Sequence, residues 1–126
     1  MKTILAVALG GAAGSVGRYL AVLAVGRWLG TDFPFGTLLV NVLGSFAMGV
    51  LAELGNAVWQ PSPEMRSLLT VGVLGGFTTF STFSLDAALL IKRGDMGLAA
   101  VYILASVLLA VGGLFAGLQA TRMAVG

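Results

Sequence analysis

Apolar residues fall into four long blocks along this chain, roughly 4–25, 37–54, 68–91 and 96–118. Each is near the ~20 residues that a helix needs to cross the hydrocarbon of a bilayer. The connections are short and polar or proline-bearing. Phe33-Pro34 opens the second block, Pro61-Ser62-Pro63-Glu64 precedes the third, and Lys92-Arg93-Gly94-Asp95 makes a tight charged turn before the fourth. No soluble domain fits between them, so the pattern predicts an all-α integral membrane protein in which residues 1–126 form one four-helix domain. Met1-Lys2-Thr3 and the apolar run behind it resemble a secretory leader. The run continues to Val25, however, so it is expected to stay as the first span.

One stretch breaks the apolar pattern. Within the third block, Gly75-Gly76-Phe77-Thr78-Thr79-Phe80-Ser81-Thr82-Phe83-Ser84 places two glycines before five hydroxyls interleaved with aromatic rings. Adjacent glycines lower helix propensity, and Ser and Thr offer the backbone competing hydrogen bonds. The reading is a third helix broken at mid-membrane by Gly75-Gly76. Carbonyls freed there need a partner that lipid does not supply, and interrupted spans in transporters use such carbonyls to hold sodium.

Composition sharpens the class. Of the 126 residues, 58% are hydrophobic and 10% charged, with a mean hydropathy of +1.01. Histidine and cysteine are absent, which removes disulfides, thiolate chemistry, most zinc sites and the usual proton shuttle near neutral pH. The seven basic residues are scattered, so no patch for nucleic acid forms. Four spans put both ends of the chain on one side with Lys2, Arg66 and Arg122; Arg27, Lys92 and Arg93 lie on the other. This balance gives the positive-inside rule no preferred orientation: either other features settle a weak bias, or the topology is dual, with copies inserted both ways up and paired antiparallel. Four helices are few for enclosing a pathway, and a twofold dimer is the commonest closed assembly. The pairs Gly10–Gly14, Gly72–Gly76 and Gly113–Gly117 have the spacing that lets helix backbones touch, without naming the partner.

Few polar residues lie within the spans. Arg18 is the only charge deep in one; a mid-helix Arg costs roughly 2.5–3.5 kcal/mol on insertion scales, so function and snorkelling both remain open. Thr37 and Asn41 share a helix face, as do Tyr102 and Ser106. Phe80 and Phe83, three residues apart, line one face of a resumed helix among Thr79, Ser81, Thr82 and Ser84. Ring edges are electropositive and suit a small anion that has shed water. Glu53 and Asp86 stand near span ends and are expected to reach an interface.

The ten-residue run resembles the signature of the Fluc (CrcB) fluoride channels. Gly10-Gly11, Gly14 and Arg18, then Gly36-Thr37-Leu38 and Asn41, then Tyr102 and Ser106, extend the resemblance over essentially the whole chain. It implies an antiparallel dual-topology homodimer in the cell membrane, with two pores and a central structural sodium that is not transported. By that resemblance the backbone carbonyls of Gly75 and Thr78 hold the sodium. Phe80 and Phe83 face the anion, Asn41, Thr79, Tyr102 and Ser106 line the pore, and Arg18 sits near a vestibule. Ala110 stands where some members carry a further serine, which weakens the outer part of that polar track.

The implied activity is passive. Hydrogen fluoride enters neutral, dissociates in a near-neutral cytoplasm and leaves the anion trapped. The membrane potential then expels fluoride through a selective pore, at about 2.3 kcal/mol per charge per 100 mV. No catalytic constellation is present, so an enzyme is not expected. The alternative is a small dual-topology proton-coupled multidrug exporter, which needs a carboxylate near the centre of a span; the first three spans place none there.

Overall fold

The computed structural model describes residues 1–126, and it is entirely helical. Helix α1 spans Lys2–Leu29, α2 Phe35–Ala57 and α6 Met96–Val125. The third span, Pro63–Lys92, is built from pieces: α3 Pro63–Ser67, a π-helical stretch Leu68–Leu74, α4 Gly75–Phe77 and α5 Phe80–Lys92. All four are long and apolar enough to cross a membrane. The helices outrun the apolar blocks at both ends, except at the start of α6, because the interfacial turns remain helical after hydropathy falls.

Local chemistry sets the boundaries. Ser62 Oγ accepts from Met65 N–H at 3.2 Å, and Pro63 occupies the first turn, where its missing N–H costs nothing. Gly94 takes φ +91° in the turn between α5 and α6, a conformation that favours glycine. In the same turn Arg93 pairs with Asp95 at 2.6 Å and donates from Nη2 to the Asp32 carbonyl at 2.9 Å. This joins the α5–α6 turn to the α1–α2 loop.

The glycine pairs find their partners. Helix α1 packs along residues 68–77, while α2 pairs with α6 over most of its length. A Cβ on Gly14 would strike the Val73 carbonyl, and one on Gly72 would lie 2.9 Å from the Gly10 Cα. On the other seam a Cβ on Gly49 would strike the Leu114 carbonyl, and one on Gly117 the Phe46 carbonyl. Backbones meet directly at both seams, and only glycine fits there.

The break in the third span is displaced from the expected place. Gly75, Gly76 and Phe77 are helical, and the backbone turns extended at Thr78 (φ −91°, ψ 159°) and Thr79 (φ −154°, ψ 125°). Gly76 serves another purpose: a Cβ there would lie 2.7 Å from the Gly11 carbonyl oxygen. Gly76 lets α1 approach, and neither glycine interrupts the helix.

Only 17 of 126 residues are buried, so most of the apolar surface is left for lipid or another chain. A small core of Phe83, Ala87, Leu90, Ala99 and Tyr102 holds α5 to α6.

Candidate functional site

The extended pair Thr78-Thr79 is held by a side chain from α2. Asn41 Oδ1 accepts from Thr79 N–H at 2.7 Å, and Asn41 Nδ2 donates to the Thr79 carbonyl at 3.0 Å. Only one orientation of the amide satisfies both bonds. The carboxamide thus stands in for two main-chain hydrogen bonds that a continuous helix would have made. Gly44, one turn along α2, leaves room for the Thr78 methyl, which a Cβ there would strike. Thr79 then opens α5: its Oγ1 accepts from Thr82 N–H at 3.1 Å and caps the resumed helix.

These bonds decide which carbonyls are free. In an unbroken helix the Gly75 carbonyl would accept from Thr79 N–H, and the Thr78 carbonyl from Thr82 N–H. Both donors are diverted, one to Asn41 and the other to Thr79 Oγ1. Three other carbonyls around the break, those of Leu74, Gly76 and Thr79, are occupied, while that of Phe77 is not. The Leu74 oxygen accepts from both Thr78 N–H and Thr78 Oγ1, each at 3.0 Å. The Gly76 oxygen accepts from Arg18 Nε at 3.1 Å, and the Thr79 oxygen from Asn41. Gly75 is exposed on the surface of the single chain.

Beside the break lies a cavity of about 290 Å³. Asn41, Thr79, Phe80, Phe83 and Ser106 line it, with Ala110 and valines of α6 at an apolar end. The Phe80 and Phe83 ring centroids are 5.4 Å apart and tilted by 48°, yet their surroundings differ. Phe83 is 8% exposed and Phe80 77%, so Phe80 forms an open wall. Ser106 Oγ is fully enclosed and makes no hydrogen bond. A buried hydroxyl without a partner normally costs about 1–3 kcal/mol, so Ser106 is an unusual residue to find beside a cavity. One N–H of Asn41 Nδ2 remains beyond the bond to Thr79.

Six of the expected site residues therefore converge on the cavity: Asn41, Thr78, Thr79, Phe80, Phe83 and Ser106. Tyr102 lies deeper. Wholly buried, it is edge-on to Phe33 at 5.5 Å and tilted against Phe83 at 5.2 Å, and its hydroxyl donates to Asp86 Oδ2 at 3.1 Å. Gly75 and Arg18 do not line this cavity; Arg18 reaches the break from α1 through the Gly76 carbonyl.

The two carboxylates near span ends, Asp86 and Glu53, each find a partner within the chain. Asp86 accepts from the buried Tyr102 and lines two pockets, one with Thr37 and the other with Asp32 and Arg93. Glu53 is mostly covered and sits 3.5 Å from Arg122, tying α2 to the end of α6. What sequence reasoning missed is the part of Asp86 as partner of Tyr102. The signal was available, since Asp86 lies one turn beyond Phe83 on the same face of α5.

The match to known proteins is broad. Residues 5–118 fit the family described as "CrcB-like protein, Camphor Resistance (CrcB)". This chain belongs to the CrcB-like family. Curated CrcB-like relatives share most of its sequence over nearly all of its length. A protein of Rhodospirillum centenum named "Fluoride-specific ion channel FluC" is 66% identical over 125 residues, covering 99% of each chain. Proteins of the same name from Nitrobacter winogradskyi and Agrobacterium fabrum are each 53% identical, covering 95% and 97% of this chain and 95% and 98% of theirs. With four spanning helices and this membership, the chain is a multi-pass membrane protein of the bacterial type.

Proposed function

We propose that this protein is a fluoride-selective ion channel, not an enzyme, and that it passively lowers cytoplasmic fluoride. The carrying observation is the cavity at the break. There the unpartnered Ser106 hydroxyl and the spare Asn41 N–H meet the tilted Phe80 and Phe83 rings, and the relatives' printed name supports the reading. Fluoride holds its water tightly, so a pore must replace that water in steps. Hydroxyls and an amide N–H donate hydrogen bonds, while ring edges offer weaker positive potential from which an anion can leave. Conduction needs sites that bind and also release. Tyr102 extends the polar wall deeper into the bundle, and Arg18 stands toward the opposite vestibule.

The working unit is an antiparallel homodimer of dual topology, with the third helix broken at mid-membrane in each copy. The exposure of Phe80 and Gly75 supports this, because a second copy would cover both. A sodium ion fits the same centre. The Gly75 and Thr78 carbonyls have lost their helical donors, and uncapped carbonyls of interrupted spans suit this cation. When bound, sodium supplies the positive charge that satisfies these oxygens, and two chains would contribute two each. It is structural and is not transported.

The test is fluoride efflux from liposomes holding purified protein, read with a fluoride electrode under an imposed potassium potential. A cationic-dye assay runs alongside. Fluoride efflux without proton exchange, little chloride efflux and no dye transport are expected. Proton-driven dye transport without fluoride efflux would assign the chain to the exporter class.

A further inference from the structure

We propose that Arg18 is a positioning residue for the cation site, acting through the Gly76 carbonyl; this rests on the sodium reading above. Arg18 is half-buried in α1, and no carboxylate pairs with it: the chain's ion pairs are Arg93–Asp95 and Arg122–Glu53. Its hydrogen bond instead runs from Nε to Gly76 O at 3.1 Å, across 58 residues of sequence. Gly76 belongs to the last helical turn before the break, where carbonyls have no partner further along the helix. A cation at such an end is favoured by the helix dipole, and the bond is charge-assisted.

The registry that brings them together is rigid. Gly14 and Gly76 both allow backbone contact between α1 and residues 73–77, and Arg18 lies one turn beyond Gly14 on the same face. Arg18 therefore reaches a fixed point at the helix end. By closing the Gly76 oxygen, it leaves Gly75 and Thr78 as the pair whose donors are diverted. Without it, Gly76 O becomes a further open carbonyl beside them, and the helix end is free to turn whichever oxygen it can toward water or a cation.

Positioning and simple electrostatics predict opposite signs. A guanidinium near a bound cation repels it, so if charge alone mattered, removing Arg18 would tighten sodium binding. If Arg18 selects the carbonyls, removing it weakens sodium binding. The experiment is the sodium dependence of thermal stability in detergent, for the assembled parent, Arg18→Met and Arg18→Gln, with potassium replacing sodium at constant ionic strength. Dimer content is followed by size-exclusion chromatography. A parent stabilised by sodium is expected. In Arg18→Met the sodium midpoint rises about tenfold, the scale of one charge-assisted hydrogen bond. Arg18→Gln loses the charge but keeps a donor, and falls between the two. A parent-like or lower midpoint in Arg18→Met overturns the proposal. A parent that does not distinguish sodium from potassium overturns the sodium reading and this proposal with it. Should Arg18→Met fail to assemble, Arg18→Gln decides alone: a raised midpoint supports positioning, and an unchanged or lowered one refutes it.

Discussion

Replacing Asn41 by Leu keeps a similar volume and removes both bonds to the Thr79 peptide. The structure gives those bonds as 2.7 and 3.0 Å, made to backbone groups that lie part-buried beside the break. Each group left unsatisfied costs about 1–3 kcal/mol, although interhelical bonds in membranes average nearer ~0.6 kcal/mol. Because Thr79 has no second partner for its N–H, we expect a loss of about 2–4 kcal/mol for the pair. Asn41→Asp differs in a useful way. It keeps an acceptor for Thr79 N–H, loses the donor to the Thr79 carbonyl and adds a negative charge at the cavity wall. It should lose about 1–2 kcal/mol, yet pass no fluoride. Equilibrium unfolding in mixed micelles measures the first quantity, and fluoride efflux from liposomes the second. Stability and flux then order the variants differently: Leu is the less stable, and Asp is stable enough to assemble but closed. If Asn41→Leu unfolds within about 0.5 kcal/mol of the parent, Asn41 does not hold the break. If Asn41→Asp conducts at the parent rate, the anion does not pass this amide.

Two further expectations follow from particular groups. Ser106→Ala deletes a buried hydroxyl that makes no hydrogen bond, so stability should hold or rise, by up to about 1–3 kcal/mol, while fluoride efflux falls; a marked loss of stability with unchanged efflux would make Ser106 a packing residue. Reporter tags at the C-terminus should be found on both sides of the membrane, given the balanced basic residues of the two faces, and a single orientation in every molecule would rule out the antiparallel dimer.

The spans were legible because four apolar blocks near the length of a bilayer-crossing helix leave little else to build. The site residues were legible as types, since hydroxyls and an amide inside such blocks demand partners. The position of the break was not. Local propensity pointed to Gly75-Gly76, but Gly76 is spent on contact with Gly11, and the chain opens at Thr78-Thr79 because Asn41 claims the Thr79 peptide. That claim spans 38 residues, and no local pattern carries it. The same holds for Asp86. Near a span end its sequence reads as an interfacial charge, and only the arrival of Tyr102 from α6 draws it inward. The glycine spacings foretold close contact, while the pairing of α1 with the third span and of α2 with α6 needed the fold.

The central claim is that fluoride passes the tilted Phe80–Phe83 pair, and the most direct measurement is fluoride efflux from liposomes containing Phe80→Ile or Phe83→Ile. Isoleucine keeps much of the bulk and removes the ring's electropositive edge. Both variants should assemble as the parent does, and efflux should fall by at least about tenfold in each. That corresponds to about 1.4 kcal/mol of lost stabilisation along the path, within the range of one aromatic contact. Methionine at either position should retain more flux, since its polarisable thioether adapts to the gap. If both isoleucine variants release fluoride at the parent rate from intact dimers, the two rings are packing alone and the anion travels elsewhere.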